Sequence, residues 1–148
     1  MRLSQATDFA LRVLMLLGSV DEPQTVESAA IRLALPKSHL MKIVAKLAHS
    51  GLVASTRGRG GGIRLQARPE EILIGEVVRI VEPDFALVSC LENRDTVCVF
   101  LPSCRLKQAM HEAAGAFVRD LNRHTLADIL AATPRPPEWP AGIVAAEA

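Results

Sequence analysis

The chain has 148 residues, 49% of them hydrophobic but only 3% aromatic with no tyrosine, and its formal net charge is +1. That length holds one domain, or one small domain with an appendage, around an aliphatic, alanine-rich core that favours helices. No run approaches the ~20 apolar residues that a membrane-spanning helix requires, and no Ser/His/Asp or paired-carboxylate arrangement points to catalysis.

Ser4 is placed to cap a first helix that turns Phe9, Ala10, Val13, Leu14 and Leu17 to one side and ends at Gly18. Thr25 caps a second, Val26 to about Leu33, with Val26, Ala29, Ala30 and Leu33 inward. After a tight break at Ala34-Leu35, Pro36 suits the first turn of a third helix. That helix runs to about Ser50, buries Leu40, Ile43, Val44 and Leu47, and stops at Gly51. Two helices across a short turn, the second one basic, form the helix-turn-helix pattern.

Two short strands follow, over residues 52–56 and 63–65, with Arg57-Gly58-Arg59-Gly60-Gly61-Gly62 between them. A glycine-rich tip carrying two arginines after a recognition helix reads as a wing, because glycine permits close approach to DNA and arginine suits a narrow minor groove. A phosphate cradle is the other reading of such a tip, but no Walker lysine-serine pair follows it.

Charge is segregated along the same stretch. Between Glu27 and Glu70 there is no acidic residue, but Arg32, Lys37, Lys42, Lys46, Arg57, Arg59, Arg64 and Arg68 supply eight positive charges. The remainder carries nine basic and sixteen acidic residues, a net of −7. A nearly neutral protein with one strongly basic third is built for an anionic partner, and with the helix-turn-helix pattern that partner is double-stranded DNA. Ser38 and His39 are placed to reach base edges, and Lys37, Lys42, Arg57 and Arg59 to reach phosphates or the minor groove.

Ile72 to Val81 has the pattern of another helix. From Arg105 a long helix begins, with a near-heptad stripe of Leu106, Met110, Ala113, Phe117 and Leu121 that suits a partner helix and predicts a homodimer. Thr125 with Asp128 caps a last helix from Leu126 to Ala132, and the proline- and alanine-rich end is expected to be a flexible tail.

The three cysteines, Cys90, Cys98 and Cys104, fall within fifteen residues. An odd cluster cannot be a closed disulfide framework, which leaves a metal site short of one ligand, a redox sensor, or three partly buried small hydrophobes. Cys104 precedes a helix, whose positive N-terminal end favours thiolate. His111 as a fourth zinc ligand completes a Cys₃His set chemically, but it lies about two turns into that helix. Reduced cysteines, and an opening Met1-Arg2-Leu3-Ser4-Gln5 without an apolar signal region, predict the cytoplasm.

The opening Met1-Arg2-Leu3, Gly51-Leu52-Val53, the Arg57-Gly58-x-Gly60-Gly61-Gly62 wing and three cysteines ahead of a long helix resemble the bacterial winged-helix regulators that include IscR and NsrR. The resemblance covers about residues 1–132. It implies a mainly α fold with a small β wing, a winged helix-turn-helix plus a long dimerisation helix. The expected divisions are a DNA-binding domain over 1–68, then linker helix, cluster-binding loop and dimerisation helix over 69–132, and the tail over 133–148. It also implies an iron–sulfur cluster near the dimer interface. IscR-like members are expected to carry a histidine three residues after the last cysteine, and here that position is Lys107. Thr7-Asp8-Phe9, Cys104-Arg105-Leu106-Lys107 and His124-Thr125-Leu126-Ala127-Asp128 resemble the NsrR-like branch. By that resemblance the protein is a nitric-oxide-sensing repressor whose 4Fe–4S cluster (2Fe–2S as the alternative) is held by Cys90, Cys98, Cys104 and, from the partner subunit, Asp8. The seven-residue gap after Cys90 departs from the family's pattern by its length and falls in what reads as a flexible polar loop. An IscR-like redox regulator is the alternative role, and an iron–sulfur electron carrier, for which the wing and basic third have no purpose, is the alternative of another class.

Overall fold

A computed structural model describes residues 3–56, 58, 61–82, 87–92 and 97–133. Helix α1 (Gln5–Gly18) starts where the Ser4 hydroxyl accepts the Thr7 amide, and it buries Phe9, Ala10, Val13, Leu14, Leu16 and Leu17. Helix α2 (Val26–Leu33) starts where the Thr25 hydroxyl accepts the Ser28 amide at 2.9 Å. It ends because Ala34 turns left-handed at φ 53°, which brings the Ala34 and Leu35 amides onto the Ile31 and Ala30 carbonyls. Pro36 then stands as the N-cap of α3 (Lys37–His49), one position before the expected first turn, and α3 buries the expected Leu40, Ile43, Val44 and Leu47.

Strands β1 (Val53–Thr56) and β2 (Gly62–Leu65) pair antiparallel, with Val53 opposite Leu65 and Thr56 opposite Gly62. Gln24, between α1 and α2, adds two backbone hydrogen bonds to Ile63, of 2.9 and 2.7 Å. Gly62 is required there, since a Cβ would stand 2.7 Å from the Gln24 carbonyl oxygen.

The helix expected from Ile72 begins later. Pro69–Glu71 forms a 3-10 turn, Leu73 bridges to Thr125, and only Ile74–Val81 is helical, as α4. The reason is a long-range competitor for the backbone: the Ile72 carbonyl accepts the Leu126 amide at 2.8 Å and the Ile74 amide donates to His124 at 3.0 Å. Beyond lie α5 (Ser89–Glu92), α6 (Arg105–Leu121) and α7 (Leu126–Ala132), the last opened by the expected Thr125/Asp128 capping box. Residues 134–148, most of the expected tail, are outside the described residues.

One core joins α1, α2, α3 and the wing with Ile72, Val77 and Val81 and with Leu126 of α7. Helix α6 stands largely outside it. Within α6 only Val118 is buried, and the stripe leaves Leu106 and Ala113 exposed and Met110, Phe117 and Leu121 half-buried. Helix α6 meets α4 at Gly75, against which the Val118 carbonyl and the Asn122 side chain pack; Asn122 also donates to Glu76 at 3.1 Å. A methyl group has no room at that crossing. Gly75→Ala is therefore expected to lower stability by ~1–3 kcal/mol, read from urea denaturation, whereas Gly115→Ala on the open face of α6 should not.

Candidate nucleic-acid interface and metal centre

Helix α3 presents Lys37, Ser38, His39, Met41 and Lys42 to solvent from its first turns, with no acidic residue among them. The elements that hold it are the Ala34 turn, the wing behind its C-terminus and α1 beneath it. Lys37 makes an ion pair with Glu27 at 3.2 Å, both side chains exposed. Such a pair contributes only ~0–1 kcal/mol and yields readily to a phosphate. The His39 ring lies with its centroid 6.3 Å from that of Phe9 on α1, tilted by 34°. Arg57 and Arg59, the expected wing contacts, fall outside the described residues.

Two cations of the basic stretch are committed elsewhere. The Arg68 guanidinium donates to Glu71 at 2.6 Å, and that hydrogen bond and the opposite charge raise the arginine's pKa and lower the glutamate's. Lys46 turns back from the last turn of α3 to the Val81 carbonyl, at 2.8 Å.

The three cysteines are free thiols, each half-buried. Cys90 sits within α5, so the start of the expected polar loop is a helical turn packed against α6; residues 93–96 are outside the described residues. Cys98 precedes a turn, and Cys104 is the N-cap of α6, as expected from the helix that follows it. Their neighbours in sequence are apolar and unusually bare: Val97 is 98% exposed, Val99 90%, Phe100 72% and Leu106 59%. Among the described residues no three His, Cys, Asp or Glu side chains stand close enough to hold one metal ion, and His111 is exposed on α6.

Asp8 lies in the first turn of α1 on the side away from the core. Its carboxylate receives Arg12 Nε at 3.2 Å and Nη2 at 2.9 Å, and its side chain is half exposed. The two residues line an open cleft of about 550 Å³ with Leu3, Gln5 and Leu11. One residue earlier, Thr7 points the other way and donates to Glu82. Glu82 also accepts the Ser4 amide at 3.1 Å and the Ser4 hydroxyl at 3.0 Å.

Neither Arg12 nor Glu82 was legible as a site residue. Glu82 did carry a signal: an acid directly after a helix's last apolar residue sits at the wrong end of the helix dipole, so it needs partners from elsewhere. Burial pushes its pKa up, but the hydrogen bonds from Thr7 and Ser4 and the charge of Lys46 outweigh that and leave it below the usual 4.5. A lowered folded-state pKa means that Glu82 stabilises the fold above the unfolded value and loses that contribution as pH falls through the folded one. Glu82→Gln is thus expected to cost on the order of 1–3 kcal/mol near neutral pH. In urea titrations the gap from wild type should close on acidification below about pH 4.5.

Residues 3–132 match the family model of Rrf2, described as an iron-dependent transcriptional regulator. The HTH-type transcriptional regulator NsrR of Geobacillus kaustophilus is 46% identical over 132 residues, which span 88% of this chain and 90% of that protein. The regulator of the same name from Bacillus subtilis is 42% identical over the same spans of the two chains. Among solved structures, CymR, the global cysteine regulator of B. subtilis, superposes with a TM-score of 0.71 at 24% identity, over 90% of this chain and 99% of that one. IscR of T. potens does so with a TM-score of 0.70 at 22% identity, over 92% and 94%. With the family model matched over residues 3–132 and relatives 42–46% identical along nearly the same length, the chain belongs to the Rrf2 family of transcriptional regulators.

Proposed function

We propose that the protein is a homodimeric repressor that binds a two-fold symmetric operator and senses nitric oxide through a 4Fe–4S cluster. Cys90, Cys98, Cys104 and the partner subunit's Asp8 hold the cluster in this reading. The observation that carries it is that all three thiols of the cysteine stretch are free and half-buried, with Cys104 at the N-cap of α6. The donor chemistry fits: thiolates are the soft ligands that iron–sulfur clusters take, and none is lost to a disulfide. Lys107 stands where an IscR-like histidine is expected, and the NsrR-like resemblance of Thr7-Asp8-Phe9 implies a carboxylate as the fourth ligand.

Asp8 is suited to that position because its present partner is easily exchanged. An exposed pair four residues apart on a helix contributes ~0.3–0.5 kcal/mol, far less than a metal–carboxylate bond. The cleft beside Asp8 and Arg12 gives the partner's cysteine stretch a place to dock, and the bare Val97, Val99, Phe100 and Leu106 give it apolar surface to bury.

When bound, the cluster supplies iron that reacts with nitric oxide. Asp8 would be the residue that ties the cluster to the first turn of α1, and in the single chain it is held by Arg12 instead. Phe9, next in sequence, packs against His39, so a shift of the first turn of α1 reaches a side chain at the reading end of α3. Ser38 and His39 face the base edges and Lys42 a phosphate.

Alanine at Cys90, Cys98 or Cys104 is expected to drop iron and sulfide in anaerobically purified protein to background. Asp8→Ala should keep part of the cluster but change its rate of reaction with nitric oxide, followed by visible absorbance. Titration of wild type with nitric oxide should weaken operator binding by ~30–150-fold, the effect of a ~2–3 kcal/mol coupling. Apo-protein that binds the operator as tightly as the loaded form sinks the switch and favours an IscR-like role. Lys42→Ala should weaken binding to all sequences alike and lower the salt slope by about one; an unchanged slope removes Lys42 from the interface.

A further inference from the structure

Helix α3 carries three exposed lysines: Lys37 pairs with Glu27, and Lys42 and Lys46 differ in what they meet. Lys42 is exposed on the face that begins with Ser38 and His39. Lys46, one turn on, donates its ammonium to the carbonyl of Val81, 35 residues away in sequence, at 2.8 Å. Val81 is the last residue of α4 and its side chain is buried in the core. A helix's last carbonyls have no partner of their own, and a cation there also meets the negative end of the dipole. The following residue, Glu82, holds the N-terminus of α1 through Ser4 and Thr7. From Glu82 the chain continues to α5 and Cys90. The Val81-Glu82 peptide therefore joins three things: the turn that carries Asp8, the recognition helix, and the chain entering the cysteine stretch.

We propose that Lys46 is a positioning residue, tied to the Val81 carbonyl, that sets the orientation of α3 according to the state of the cysteine stretch and does not contact DNA phosphate. This rests on the sensing function proposed above. Coupling needs a contact whose strength differs between two arrangements of the protein. A hydrogen bond to one carbonyl meets that requirement, because it weakens steeply once the distance or angle departs from its narrow optimum. A displacement of the C-terminus of α4 would thus release Lys46, and with it one constraint on the far end of α3 from the base-reading residues. In the released state Lys46 adds no phosphate contact, so the effect lies in the orientation of α3.

The test uses the full-length dimer, purified anaerobically, in cluster-loaded and apo forms. Its DNA is a duplex selected from a random pool by the loaded wild type. Affinities are measured for both forms over a range of salt concentrations. Lys46→Met keeps the side chain's length and removes the donor. It should retain wild-type iron and sulfide, lower the loaded-to-apo affinity ratio at least fivefold, and leave the salt slope unchanged. Lys46→Arg should restore the ratio. Lys46→Gln, a shorter neutral donor, is the second variant should Lys46→Met fold poorly, and it too should lower the ratio. A large wild-type ratio that persists in Lys46→Met and Lys46→Gln overturns the inference alone and leaves Lys46 as a helix cap. Equal weakening of both forms with a slope smaller by about one overturns it in favour of a phosphate contact. A wild-type ratio near one overturns the sensing function and this inference with it.

Discussion

Burial of one face of α1 is the constraint on which the other elements depend. Ala10, Val13, Leu14, Leu16 and Leu17 are each almost wholly removed from solvent, and α2, α3, α4, α7 and β2 all pack against that helix. Each leucine or valine so buried stabilises the fold by ~1.5–3 kcal/mol, so no neighbour can leave α1 without losing several such contributions. The opposite face, with Asp8 and Arg12, remains in solvent. The division is that of an amphipathic helix whose inner face holds a DNA-binding unit together and whose outer face is free to meet a second subunit. A close-packed interior does not absorb a shift of such a helix locally. Movement imposed at Asp8 must therefore appear at the neighbours.

The polar complement to that core lies at the junction of α4 and α1. An acid at the C-cap of α4 is unfavourable by itself, and it is stable here because three hydrogen bonds from Ser4 and Thr7 converge on it, with Lys46 nearby. The basic stretch consequently does two jobs. Lys42 faces outward, while Lys46 and Arg68 hold α4 and the 3-10 turn before it. Net basic charge in a sequence segment attracts nucleic acid as a whole, but which cations reach a phosphate depends on the competitors that the fold brings within reach.

Helix α6 shows the reverse situation, apolar residues without a competitor. Leu106 and Ala113 of its stripe, and Val97, Val99 and Phe100 before it, are exposed in the single chain, while Met110, Phe117 and Leu121 are half-buried and α4 meets α6 at the Gly75 crossing. The homodimer proposed above would cover these residues with a second copy of α6.

Local sequence determined most of the helices, several of their caps and the two strands. Ser4, Thr25 and Thr125 cap as their hydroxyls predict, the four inward residues of α3 are those its period marks, and the strands need correction by only one residue. These features depend on neighbours three or four positions away, or across a short hairpin, and such information is contained in the sequence itself. The three cysteines were also legible, as a donor set. Tertiary structure alone decided that Ile72 and Leu73 would leave α4 to pair with the segment before α7, that Asp8 would take Arg12, that Glu82 would receive the start of α1, and that Lys46 would donate to the Val81 carbonyl. Apart from the Asp8–Arg12 pair, which the i,i+4 spacing permits but does not require, each of these joins residues 35 or more apart. A polar group takes whichever partner the packed core brings within hydrogen-bond distance, and that proximity exists only after α1 has been buried.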